Sequence, residues 1–156
     1  MKKIFLFLLL VITTQAFAID YPKGPDNSLT PGSFCANPDS YRYPENIAYC
    51  RRDVSQDRKN GIFLIYKNDL GFNMGETRKH FKIDHYIPLC AGGSNKQDNL
   101  WPQHSSIYSI TDPIESVGCQ KLGNGLITQK ELVDLIRLAK NNLDEAADVL
   151  KRLQSL

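Results

Sequence analysis

Asp84 and His85 stand side by side in FKIDHYIPLCAGGSNKQDNLWPQH, the stretch from Phe81 to His104. An ionised carboxylate is a hard oxygen donor suited to Mg²⁺ or another divalent ion. An imidazole that titrates near neutrality can take a proton from water. A metal and a base converging on one water and one phosphate would supply charge stabilisation and a nucleophile together. Geometry sets a condition on this pairing, because neighbouring side chains on a regular strand point to opposite faces. The two meet at one site only where the strand twists or ends, and Pro88 followed by Gly92-Gly93 offers such a break.

The asparagines that follow fit a turn. Asn95 and Asn99 can satisfy loop backbone groups through their amides, and Gly92-Gly93 permits backbone angles that other residues resist. Asn99 lies just before a second short apolar run, Leu100-Trp101, where its side chain can hold the loop against the first strand and so orient His85. Trp101 reads as a core anchor rather than a platform for stacking bases.

These residues need elements to position them. The stretch itself reads as strand, turn and second short strand. Before it, Ser55 is placed to cap a helix running to about Asn68, with Ile62, Phe63, Ile65 and Tyr66 as its apolar stripe. After it, Asp112-Pro113 has the form of a helix start, an Asp cap with Pro at the first position, for a helix to about Leu122. Thr128 to Glu131 is a capping-box pattern opening a helix with Leu132, Leu135, Ile136 and Ala139 on one face. A last amphipathic helix spans about Leu143 to Leu153. Those stripes are core packing surfaces. Residues 19–46, rich in Pro, Gly, Asn, Asp and Ser, read as an irregular arm. The expected division is a signal peptide over 1–18, an irregular N-terminal arm over 19–54, and one α+β domain over 55–156.

The signal peptide is read from Lys2-Lys3, the apolar run Ile4 to Ile12, and Ala16-Phe17-Ala18 as a small-x-small cleavage site, with cleavage after Ala18. The apolar run falls short of the roughly 20 residues that span a bilayer. The chain is expected to be secreted or periplasmic, with no membrane attachment once the peptide is removed. The full sequence has 19 Lys+Arg and 17 Asp+Glu; the two lysines of the signal leave 17 of each. A neutral mature chain gives no global support for nucleic-acid binding, so only local clusters could provide it. Such clusters are Arg78-Lys79-His80 with Lys82, Arg51-Arg52, and Arg58-Lys59. Cys35, Cys50, Cys90 and Cys119 contain no C-x-x-C pair, which disfavours a zinc ribbon. In an exported chain four cysteines predict two disulfides. Three pairings are open, and Cys35–Cys50 with Cys90–Cys119 is favoured because each then closes a local loop.

DHYIPLCAGGSNKQDNLWPQ resembles the HNH endonuclease superfamily, whose ββα-metal motif is a twisted hairpin followed by a helix. It is most similar to small exported members carrying DH-x-I-P-L…GGSN…NLWPQ. The likeness covers residues 83–103 closely and "TDPIES…C…G.IT..E" loosely. The resemblance implies a general-base role for His85, a metal ligand in Asp84, and a central asparagine in Asn99 that fixes loop and imidazole. Arg78 or Lys82 would hold the scissile strand. The superfamily's further metal ligand would fall near Tyr108, a poor ligand. This chain offers His104, Asp112 or Glu115 instead, with His104 preferred. The resemblance thus implies an endonuclease using one divalent ion, Mg²⁺ ahead of Mn²⁺ or Zn²⁺, on nucleic acid, DNA ahead of RNA. The neutral mature chain, with no large recognition module left over, argues for low sequence specificity, and a monomer is expected. The alternative is a catalytically inactive nucleic-acid-binding or envelope interaction protein on the same scaffold.

Overall fold

The computed structural model describes residues 20–74 and 78–156. The expected signal peptide lies outside them. Among the described residues the order is β1 (Ser40–Arg42), β2 (Ile47–Tyr49), α1 (Gln56–Asn68), β3 (Phe81–His85), β4 (Leu100–His104), α2 (Ser105–Gly123), α3 (Gln129–Asn141) and α4 (Ala146–Gln154). The class is α+β, with two separate antiparallel hairpins and four α-helices. No helix among the described residues is long and apolar enough to cross a membrane.

Two apolar clusters build the interior. In one, Ile62, Phe63 and Tyr66 of α1 pack on Ile83, Leu100, Trp101 and Ile107. In the other, α2, α3 and α4 close around Ile114, Leu122, Leu132, Ile136, Val149 and Leu153, with Ile47, Ile87 and Ala91 joining from outside the bundle. Trp101 is fully buried, so it is a core anchor as expected. The α3 capping box forms in both directions between Thr128 and Glu131. Ser55 caps α1, its Oγ accepting from Arg58 N at 3.2 Å. The favoured disulfides are both present, with Cα–Cα separations of 5.7 Å for Cys35–Cys50 and 5.8 Å for Cys90–Cys119.

Two expectations are corrected. The helix expected to begin at Asp112 starts at Ser105, capped by His104, and Asp112 and Pro113 lie inside it. Ile107, Thr111, Ile114, Gly118 and Leu122 form a continuous buried stripe through both halves, and burial of that stripe outweighs the hydrogen bond that Pro113 cannot make. Pro113 and Ser109 are both exposed, so the missing hydrogen bond falls on the solvent side of the helix, where water can substitute for it. The arm is also more ordered than its composition implies. It contains the β1–β2 hairpin, whose turn places Tyr43 and Asn46 at positive φ, 63° and 55°. It is knitted to the 87–99 loop by Gly32 N to Asp98 O, Cys35 N to Gly92 O, and Ser94 N to Ser33 O, at 2.8, 2.8 and 2.9 Å.

The loop between β3 and β4 carries little regular structure, yet it is held at many points. Gly92 adopts φ +83°, and a Cβ on Gly93 would lie 1.8 Å from Ile87 O. That close approach lets the chain fold back on itself there and admits no other residue. Asn99 closes the loop from inside. Its Oδ1 accepts from Ile87 N at 2.8 Å, and its Nδ2 donates to Ile87 O at 3.0 Å and Ser94 O at 2.9 Å. Asn99 makes these three bonds to the loop backbone from a fully buried position.

Candidate functional site

Strand alternation persists to the end of β3. The ladder pairs Phe81 with His104, Asp84 with Trp101 and His85 with Leu100, so Lys82 and Asp84 share one face while Phe81, Ile83 and His85 share the other. Among the described residues, the side chains of Asp84 and His85 have no polar partner in common.

On its face, the His85 imidazole sits between the segment before α1 and the 87–99 loop. Nε2 lies 3.0 Å from Asn95 Oδ1, and Nδ1 lies 3.4 Å from Arg52 Nη2. Asn95 Nδ2 donates to Arg51 O at 2.7 Å, which turns its Oδ1 toward the ring. A guanidinium can only donate, so Nδ1 is the acceptor and Nε2 carries the hydrogen given to Asn95. His85 is 2 % exposed. Burial, reinforced by the Arg52 guanidinium and opposed by the bond to Asn95, holds its pKa down at about 4. The ring is neutral at pH 7, with the lone pair of Nδ1 toward Arg52.

Arg52 links two open grooves over this point. One, of about 320 Å³, runs between α1 and β3, with Arg52, Lys59, Arg78 and Lys82 beside the rings of Phe63 and Phe81. The other, of about 430 Å³, includes Arg51, Arg52 and Asn95. Both partners of His85 therefore line solvent-filled space. Arg78 is anchored on α1: it donates to Asn60 Oδ1 and to Lys59 O, the latter at 2.9 Å, and lies 4.7 Å over the Phe63 ring. Four cations thus gather along one groove. Arg78 and Lys82, expected to contact substrate, are both in it.

The opposite face is a buried ionic network. Lys140 of α3, 1 % exposed, brings its ammonium to Asp84 Oδ2 at 2.6 Å, to the His85 carbonyl at 2.6 Å, and to Glu115 Oε1. Its three N–H donors are all used. The other Asp84 oxygen, Oδ1, lies 3.3 Å from Lys82 Nζ, which also meets Asp112 Oδ1 at 2.5 Å. Burial alone would favour a neutral Lys140, but the Asp84 and Glu115 carboxylates reverse this and raise its pKa above the ordinary lysine value. Burial likewise works against the Asp84 carboxylate, and Lys140 and Lys82 overcome it and hold its pKa low. Glu115 is pushed up, by burial first and then by the nearby Asp84 charge.

His104, the preferred second metal ligand, is not brought to Asp84. It lies opposite Phe81 on the other face of the hairpin, its ring stacked on Tyr21 at 4.0 Å and its Nδ1 accepting from Ser106 N at 3.2 Å. The role it fills is that of N-cap to α2. Asp112 and Glu115, the other two candidates, do join the Asp84 face, but through lysines. Both oxygens of Asp84 face an ammonium, and among the described residues no three His, Cys, Asp or Glu side chains are grouped to hold a metal. As they stand, these residues do not fit a divalent ion at Asp84.

Three residues that contact Asp84 or His85 are not marked by the sequence as their partners. Asn95 was expected only as a turn former, and Arg52 only as part of a charged pair; neither spacing points to His85. Lys140 left a usable trace, because it continues the buried stripe Leu132–Ile136 at the same four-residue step, and a lysine there calls for a buried counter-charge. No family model, curated protein or solved structure matches the chain.

Proposed function

We propose that this protein is an exported phosphodiester hydrolase acting on the backbone of nucleic acid, with His85 as its general base, on a hairpin-and-helix unit of the HNH endonuclease type formed by β3, β4 and α2. The observation that carries the reading is the neutral His85 imidazole, oriented by Asn95 and covered by Arg52, which lines a groove together with Lys59, Arg78 and Lys82. Such a groove suits a chain of phosphates and reads no sequence, which implies low specificity. The two disulfides favour an oxidising compartment, in keeping with export.

In this mechanism Arg52 leaves Nδ1 to pair with a phosphate oxygen, and a water takes its place against the ring. Nδ1 accepts a proton from that water as the oxygen attacks phosphorus. The bond to one bridging oxygen breaks, and that oxygen is protonated from solvent. Arg52 and Lys82 offset the charge that gathers on the non-bridging oxygens. Asn95 keeps the tautomer correct throughout, and Asn99 holds the loop that carries Asn95.

A second reading has its own support. The burial of His85 and the ammonium on each oxygen of Asp84 suit a protein that binds nucleic acid without cleaving it. One experiment separates the two. Supercoiled plasmid, single-stranded DNA and RNA are incubated with the mature protein in Mg²⁺, in Mn²⁺ and in EDTA, while binding is followed by fluorescence anisotropy. Cleavage that disappears in a folded His85→Ala protein is the expected result. Tight binding with every substrate left intact in all three conditions refutes the hydrolase and selects the binding protein.

A further inference from the structure

We propose that the Lys140 ammonium is the resident cation of the Asp84 site and takes the seat that the HNH resemblance assigns to a divalent metal. Three oxygens converge there from separate parts of the chain: the Asp84 carboxylate and the His85 carbonyl on β3, and the Glu115 carboxylate on α2. All are hard donors of the kind Mg²⁺ and Mn²⁺ prefer. Instead of an ion bound from solution, a side chain from α3, 55 to 56 positions away in sequence from this end of β3, fills the space between them. An ammonium offers three donors and a fixed point charge, and here each donor has an oxygen partner.

Lys82 also approaches Asp84, but its side chain is 34 % exposed and its closer partner is Asp112. It is a partly solvated rim contact. Lys140 is enclosed, and removing one partner from a buried charge pair leaves the other uncompensated, which is far more costly than losing a surface pair. The cation that α3 supplies joins α2 to β3, so the seat is filled whenever the helices are packed. Divalent ions then have no open position at Asp84, and binding them there requires removal of the lysine.

This inference concerns the occupant of the seat and is read without a nuclease substrate, so it can fail while the hydrolase reading stands, and the reverse. The probe is Mn²⁺ alone, followed by its EPR signal and by thermal unfolding with and without EDTA. The natural protein is expected to show the same Mn²⁺ titration as Asp84→Asn. Lys140→Ala vacates the seat and leaves two carboxylates facing it. That variant is expected to bind one Mn²⁺ and to gain a Tm increase on the order of 5–10 °C at Mn²⁺ about a hundredfold above Kd. The gain should vanish in Lys140→Ala combined with Asp84→Asn. If Lys140→Ala does not fold in EDTA, refolding in Mn²⁺ gives the same readout, recovery supporting the proposal and failure overturning it. The proposal is equally overturned if the natural protein binds one Mn²⁺ through Asp84, or if folded Lys140→Ala is indifferent to the ion.

Discussion

Asn99→Ala should cost more than any change to the groove above it. The side chain is fully buried and supplies one acceptor, to Ile87 N at 2.8 Å, and two donated bonds, to Ile87 O at 3.0 Å and Ser94 O at 2.9 Å. Truncation leaves three backbone groups without that partner, at about 1–3 kcal/mol for each that stays dry. The vacated amide volume can admit a water and recover part of this, so a net loss of about 3 kcal/mol is expected. With a urea m-value of about 1.5–2 kcal/mol/M for a domain of this size, the unfolding midpoint should fall by about 1.5–2 M. Far-UV circular dichroism in urea, with both disulfides intact, reads this directly. Asn99→Asp provides a control of nearly equal volume. It keeps the acceptor for Ile87 N but turns a carboxylate oxygen toward two carbonyls, so at pH 7 it should be no less damaging than the alanine. A midpoint lowered by less than about 0.5 M in both variants would refute the view that Asn99 holds the loop.

Two further outcomes follow from the groove. His85 titrates near 4 when folded and near 6.5 when unfolded, so the unfolded state binds the extra proton between those values. Its contribution to stability is therefore present above about pH 6.5 and is lost as pH falls toward 4, by about 2–3 kcal/mol for a shift of this size; imidazole NMR should show one ring midpoint near 4 that is missing in His85→Gln, and a midpoint near 6.5 would contradict it. For binding to a single-stranded oligonucleotide, the affinity should fall with salt, and Arg78→Ala should weaken every sequence alike and reduce the slope of log K against log salt by about 0.7; an unchanged slope removes Arg78 from the phosphate path.

Local signals carried much of the fold. The capping box at Thr128, the Ser55 cap and the Gly92-Gly93 turn depend on residues within a few positions of each other, and the structure has all three; the β3–β4 hairpin spans a longer loop but lies in one short stretch of sequence. The start of α2 was hidden because Asp112-Pro113 is a strong local start signal, while the stripe from Ile107 to Leu122 that overrides it acts through tertiary packing. The site was legible only in part. Asp84, His85 and Asn99 belong to one short stretch, and the role of Asn99 follows from its place beside the second strand. The partners that set the state of Asp84 and His85 come from Arg52 before α1 and Lys140 on α3, and no local spacing relates them. The order of residues along β3 also hid a plain consequence of its regularity. An acid and an imidazole on successive strand positions face different neighbours, and the strand does not bend until both have been placed.

The most direct test of the base assigned to His85 is the single-turnover cleavage rate of a nucleic-acid substrate against pH, in the natural protein and in His85→Ala. The natural protein should show a rising limb with a midpoint near 4 in the free protein, levelling toward neutral pH, and His85→Ala should lose that limb together with most of the rate. The same limb and the same rate in both proteins would contradict the account.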